Sequence, residues 1–267
     1  MNNLLEHVKN AGFPYWQECI HLFVGGSALH GAKVEGYDDL DIYGVFVEPP
    51  EKALGIDKYE HFVWSTAGSD RKNTKDDVDI CLYSLRRWAD LACKGNPSIL
   101  HFLFAKLDDQ TVLPDRHQDK HPTWFNAVQK YRQAFLCSNH AKSFLGFADQ
   151  QLKRMTGERS RNTNRPDLVE KYGYDTKFAM HVIRLYSECE EFLKSGVITL
   201  PSPERELLIG IRTGQKTEDW VIREAARREV ICKEAMEKSP LPKQVDRAFI
   251  SRVVADAYRR HWEKWRL

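Results

Sequence analysis

From Val24 to Val47 the chain reads VGGSALHGAKVEGYDDLDIYGVFV, and two aspartates within it, Asp39 and Asp41, constrain everything else. Asp39 to Val47 alternates and then turns continuously apolar, the pattern of a central strand. Side chains two apart on a strand share a face, so Asp39 and Asp41 project together while Leu40 and Ile42 project the other way. Neighbouring carboxylates repel, and each raises the other's pKa unless something positive lies between them. Magnesium is a hard cation that takes oxygen ligands, commonly one or two carboxylates plus substrate phosphates, so the pair suits a divalent ion.

A third carboxylate should come from a neighbouring strand. In DDVDICLY, Val78, Ile80 and Leu82 form an apolar face and Asp79 points away from it. Three carboxylates can hold two metals, one activating an attacking hydroxyl and one neutralising a triphosphate. Phosphoryl chemistry of that kind is largely positioning and charge stabilisation. Upstream, HLFV (His21 to Val24) reads as a buried strand stopped at Gly25-Gly26, and Ala28 to Gly31 as a short helix. Glycines there let the backbone approach a ligand closely, and free N–H groups with the Ser27 hydroxyl suit a nucleotide phosphate. The loop is neither a Walker A motif nor a dinucleotide fingerprint.

Further strands are expected at Glu60 to Ser65 and Asp77 to Tyr83, and a helix from Ser84 to Ala92. Pro114 and Pro122 bracket a polar linker, DRHQDKH. Beyond it, helical spacing runs through 123–155, 175–196, 216–238 and 243–265. The expected fold is α+β, with a small mixed-sheet domain over residues 1–113 followed by an all-helical domain over 122–267. A length of 267 residues allows one large domain or two modest ones. The net charge of +2 is too small to mark the whole chain as a nucleic-acid binder, so any such footprint must be local. Six scattered cysteines without a C-x-x-C pair read as reduced thiols. No secretory leader or membrane-length apolar run is visible, which suits a soluble cytoplasmic protein.

These residues resemble the polymerase β-like nucleotidyltransferase superfamily, whose pattern is Gly-Ser, a short helix, then Asp-x-Asp. The likeness is closest to one branch, the RNA-repair-associated RlaP-type family. It is carried by Gly26, Ser27, Gly31, Asp39, Asp41, Gly44 and Val45, then Asp79, Ser84-Leu85 and Lys94-Gly95-Asn96-Pro97. Tyr172 to Leu185 resembles the family's Lys-x-x-x-His-x-x-Arg helix, and Ser239-Pro240-Leu241-Pro242 a later element. Asp38 stands where serine is commoner, placing another negative charge beside the pair, where it should tune metal affinity.

The resemblance implies a nucleotidyltransferase that uses Mg2+ or Mn2+, two ions with the nucleoside triphosphate bound. Asp39, Asp41 and Asp79 would be both metal ligands and catalytic residues, with Gly26 and Ser27 on the triphosphate. Lys177, His181 and Arg184 fall at i, i+4 and i+7, one stripe of a helix. Such a stripe is either a solvated basic face or a phosphate clamp; the resemblance favours the clamp. Asn96, before Pro97, suits a helix N-cap or a substrate contact, and capping is the commoner use. The polar segment Gly157 to Asp167, with Arg154 just before it and Arg159 and Arg161 within it, could grip RNA phosphates or simply be solvated. His117 and His121 sit in the linker, a poor context for a metal site, and Trp262 and Trp265 read as packing anchors.

The expected reaction moves a nucleoside monophosphate from a triphosphate, ATP among them, to an RNA 3′ end such as that of tRNA, releasing pyrophosphate. One alternative keeps the chemistry and changes the acceptor to a protein or small-molecule hydroxyl. Another is a non-catalytic nucleotide or RNA binder, which would be expected to have a damaged carboxylate set.

Overall fold

The computed structural model describes residues 4–34, 38–68, 71, 74–106, 128–158 and 165–263. The helix α1 (Leu4–Asn10) buries Leu4, Leu5 and Val8. Strand β1 (Cys19–Val24) follows, then a single helical turn α2 (Gly26–Leu29) and strand β2 (Leu40–Phe46). After α3 (Pro50–Leu54) come β3 (His61–Ser65) and β4 (Val78–Ser84). The sheet order is β1-β2-β4-β3, with β2 and β4 parallel at its centre and antiparallel partners on either side. This is the expected mixed sheet.

Each face of the sheet meets its own core. Ile42, Ile80, Leu82 and Leu22 face α1 and Phe13, in a small aromatic-rich cluster. Val45, Phe23 and Ile20 face a much larger one that includes Trp88, Phe102, Phe144 and Phe192 and continues through the helical half. Period-two alternation makes this possible, since each strand supplies a residue to each side in turn.

Helix starts follow side-chain chemistry. Ser84 accepts from the Arg87 amide at the head of α4 (Leu85–Cys93). Asn96 accepts from the Ile99 amide and Pro97 takes the first position of α5 (Pro97–Leu100), so Asn96 is a cap. The helical half contains α6 (Ala141–Met155), α7 (Pro166–Tyr172), α8 (Thr176–Ser195), α9 (Arg205–Arg212), α10 (Glu218–Lys238) and α11 (Arg247–Glu263). Asp175 caps α8 by accepting from the amides of Lys177 and Phe178, and Gly196 ends it in the left-handed conformation.

Two expectations about this half change. The helix expected over 123–155 is regular only from Ala141. Residues Gln129–Phe135 and Ser138–His140 are 3-10 turns, separated by extended backbone at Leu136 and Cys137. There the chain is pinned, since the Ser138 amide bonds the Pro242 carbonyl at 2.8 Å. Helices α7 and α9 went unread because each is too short for helical spacing to show.

The division at 113–122 and the histidines His117 and His121 lie outside the described residues. The two halves are bound to each other elsewhere. The last helix returns to the sheet, where Tyr258 bonds Glu48 at 2.7 Å, Trp262 Nε1 donates to the Glu48 carbonyl at 3.1 Å, and His261 meets Glu18 at 2.8 Å. Trp262 is thus a packing anchor; Trp265 lies outside the described residues. Near the head of β2, Arg212 of α9 grips buried Asp38 through two bonds of 2.7 and 2.8 Å. Removing one member of a buried pair strands the other charge, which typically costs about 3–5 kcal/mol. Arg212→Ala should lose roughly that much in chemical denaturation. A loss of about 1 kcal/mol or less, the range of exposed pairs, would show the pair to be solvated.

Candidate active site

Register places Asp41 of β2 directly beside Asp79 of parallel β4. Their side chains rise from one face, ~4.8 Å apart along the hydrogen-bonding direction. Asp39 lies just before the strand, whose first residue is Leu40; the two-residue spacing keeps it on the side of Asp41. The Leu40 amide bonds the Asp77 carbonyl at 2.9 Å, tying the entry of β2 to that of β4. Asp77 is itself held by Arg71, Thr66 and Thr74, with Arg71 donating bonds of 2.6 and 2.5 Å. These bonds, the Arg71 pair foremost, keep the Asp77 carboxyl far below the usual carboxylate range.

The glycine turn closes over Asp41. The Gly25 amide donates to the Asp41 carbonyl at 2.9 Å. Gly26 has φ +57°, and a Cβ on it would sit 1.7 Å from Asp41 Oδ2. Only glycine fits both the dihedral and the approach. The helix begins at Gly26 and not at Ala28, so Gly26 and Ser27 lie inside its one turn. Because that turn is so short, ligand contact there would rest on individual N–H groups and the Ser27 hydroxyl.

Electrostatics single out Asp41. Burial, then the charge of Asp39, push its pKa to about 6, with Asp79 and Asp38 adding smaller upward effects. The Lys177 ammonium opposes them. Three oxygen donors on one face, one reluctant to ionise without a cation, are the donor set a hard divalent ion takes. Asp38 also has a partner in the helical half. Burial would raise its pKa, but bonds from Arg212, the Val34 amide and Ser27 outweigh that and hold it down. Its carboxylate thus ties the loop to Arg212 while its charge still acts on Asp41.

Lys177, His181 and Arg184 do share the face of α8 turned toward the glycine turn. His181 and Arg184 line a cavity of about 110 Å³ together with Gly26, Ser27, His30, Tyr43, Ser98 and His101. The three are not all cations. Burial, then Arg184 and Lys177, push His181 well below the normal imidazole range, so it is neutral. Arg184 is buried and committed: one of its nitrogens lies 2.9 and 3.0 Å from the two Glu188 oxygens.

Glu188 also meets His30 at 3.2 Å and His101 at 3.0 Å. Burial lowers His30 to about 3, with Arg184 contributing. Among the described residues this trio is the one group whose potential ligand atoms lie within 4.8 Å of one another. Asp39, Asp41 and Asp79 do not all three come that close together. Sequence reading missed Glu188, His30, His101 and Arg212; the Glu188–His101 contact spans 87 positions and leaves no local pattern.

Arg154 ends α6. Phe144 stacks on Phe192 at 5.1 Å, so α6 and α8 run antiparallel and Arg154 lies at the Lys177 end of α8. Arg159 and Arg161 lie outside the described residues.

Sheet, glycine turn and aspartates are the features by which the chain resembles the polymerase β-type nucleotidyltransferases. The chain belongs to the RlaP family, described as the RNA repair pathway DNA polymerase beta family, which it matches over residues 1–254. It is 33% identical over 131 residues to the uncharacterized 38.9 kDa protein in the nrdC-mobD intergenic region of Enterobacteria phage T4. That match covers 48% of this chain and 36% of the phage protein, so the chain spans little more than a third of that relative's length. Among solved structures, a nucleotidyltransferase-like protein from Exiguobacterium sibiricum 255-15 aligns over 87% of this chain and 72% of its own, at 10% identity and a TM-score of 0.29. None of the described helices is long and apolar enough to cross a membrane.

If Asp41 is strained as its surroundings require, relieving its charge should stabilise the metal-free fold. A carboxylate with a raised native pKa weakens the fold as pH climbs through that value. In chelator, Asp41→Asn should gain roughly 2–3 kcal/mol over wild type at about pH 8, a gain that fades toward pH 4. A pH-independent loss in the same denaturation series would contradict the assignment.

Proposed function

We propose that the protein transfers a nucleoside monophosphate from a nucleoside triphosphate to the 3′ hydroxyl of an RNA, tRNA among the candidates, in RNA repair. The acceptor oxygen bonds to the α-phosphorus, the bond from that phosphorus to the bridging oxygen breaks, and pyrophosphate leaves. The observation that carries this reading is the register that sets Asp41 beside Asp79, with the charge of Asp39 acting on Asp41. Divalent magnesium or manganese, two ions with the triphosphate, would be held by Asp39, Asp41 and Asp79 and would supply charge neutralisation and hydroxyl activation.

The chain's own residues do the rest. Gly26 and Ser27 offer N–H and hydroxyl donors to the triphosphate, and no side chain at Gly26 blocks its approach. Lys177 already compensates Asp41 and would be the mobile cation for triphosphate oxygens. Neutral His181 serves as a hydrogen-bond donor or acceptor, and Arg184, anchored by Glu188, presents a fixed positive charge at the cavity wall. Asp79, on the side of the sheet away from the glycine turn, would receive the acceptor's proton. Arg154, with Arg159 and Arg161, supplies a basic approach for RNA phosphates. ATP is one suitable donor; nothing in the cavity requires a particular base.

The test offers each α-labelled triphosphate with magnesium, with and without a cellular RNA pool. Wild type should label RNA, and Asp41→Ala or Asp79→Ala should slow labelling by roughly 10³-fold or more, equivalent to about 4 kcal/mol. Lys177→Ala should act mainly through the triphosphate KM. Label in protein or a small molecule and not in RNA would replace the acceptor. Triphosphate binding with no transfer at all would defeat the catalytic reading.

A further inference from the structure

The sheet face that bears the aspartates is only half covered. Over β1 and β2, Phe23 and Tyr43 pack under Phe102, with ring centroids 4.8 and 6.0 Å away. Tyr83 of β4 also meets Phe102, with centroids 6.0 Å apart, so β4 is only partly uncovered, and among the described residues the face is most open over β3. The register Ser65↔Asp79, Val63↔Cys81, His61↔Tyr83 puts all six residues on the aspartate side, while Phe62 and Trp64 turn to the opposite core. Val63 is 65% exposed, and His61 is exposed as well. An open shelf thus runs away from Asp79 along β4, ~13 Å over the four residues to Tyr83.

The shelf has a ring at its far end. His61 stacks on Tyr83 with centroids 4.5 Å apart and planes 17° from parallel, and its Nε2 lies 3.3 Å from Cys81 Sγ. Since β3 is an edge strand, no further strand stands beyond His61 among the described residues. Positive charge gathers nearby. Arg87, in the first turn of α4, acts on His61 electrostatically and lies 3.9 Å from Asp90. Asp90 is held more tightly by Lys94 at 2.7 Å and Arg247 at 3.0 Å. One carboxylate thus serves three cations.

Access decides what the shelf is for. Gly26 covers Asp41, and Lys177 and the cavity lie on that flank. An acceptor that reaches Asp79 without crossing the triphosphate must therefore come along β3 and β4. We propose that the shelf of His61, Val63, Cys81 and Tyr83, ending at Arg87, seats the last nucleotides of a single-stranded 3′ end, with a base stacked on His61 and a phosphate on Arg87. This rests on the reading of RNA as acceptor and adds the place where it lies. A flat ring at the edge, an apolar rest beside it and a cation beyond match a base and its phosphate. A peptide adding to the sheet would use the β3 backbone and be indifferent to these side chains.

The test is fluorescence anisotropy with a labelled, short, single-stranded RNA of mixed sequence and the full chain, beside a separate titration of a fluorescent ATP analogue. His61→Ala and Arg87→Ala should each weaken RNA binding by roughly 10-fold, and His61→Phe should retain it. Arg87→Ala should also lower the slope of log affinity against log salt by about one. Affinity for the ATP analogue, set on the other flank, should stay the same. If the double variant His61→Ala with Arg87→Ala binds RNA as tightly as wild type, the shelf is not the acceptor site, while labelling of RNA would still support the proposed reaction. If wild type binds the analogue but no RNA, both proposals fall. If His61→Phe loses RNA binding as fully as His61→Ala, or every variant loses analogue and RNA binding equally, the ring is not a stacking platform and the proposal is overturned.

Discussion

Like charges gathered at one end of a sheet repel, and the rest of the molecule is arranged around that repulsion. Asp41 and Asp79 are fixed side by side by strand register, and Asp39 by its spacing from Asp41. The cost is visible in Asp41, whose pKa rises to about 6 through burial and its acidic neighbours. The glycine turn must press against this carboxylate, so position 26 can carry no side chain. Compensation comes from the helical half, with Lys177 acting on Asp41 and Arg212 neutralising Asp38. The helices therefore complete the site electrostatically, and the two halves share one core.

A buried hub makes that coupling rigid. Glu188 receives Arg184 from its own helix, His30 from the end of the glycine turn and His101 from beyond α5. Burial would raise its pKa, but Arg184, then His101, keep it firmly ionised. Two imidazoles and a carboxylate also make a ligand set for a transition metal. Here the guanidinium already occupies both carboxylate oxygens, so the charge that a metal would supply is present in Arg184. The hub's effect is on position: it aligns the glycine turn, the cavity wall and α8 as one unit.

Local chemistry was legible in the sequence; long-range pairing was not. The aspartates could be placed because strand periodicity and spacing are local, and Asp79 because its apolar neighbours alternate around it. Asn96 and Asp175 follow capping rules that act over three residues. The stripe of Lys177, His181 and Arg184 was readable as a face, but its charge was not. Burial neutralises His181, and a carboxylate one turn on, Glu188, claims Arg184. Asp38 looked like an extra acid beside the metal pair because its partner, Arg212, lies 174 positions away on a helix too short to show a period. His61 and Val63 looked like ordinary strand residues until the sheet order made β3 an edge.

If Asp39, Asp41 and Asp79 together hold the cations for nucleotidyl transfer, a divalent ion should bind there beside the triphosphate. Calorimetric titration of manganese into the chain, with a non-hydrolysable triphosphate analogue present, tests it most directly. Binding should be lost in Asp41→Asn and Asp79→Asn and retained in His101→Ala. Manganese binding that survives both aspartate changes, or that disappears with His101, would contradict it.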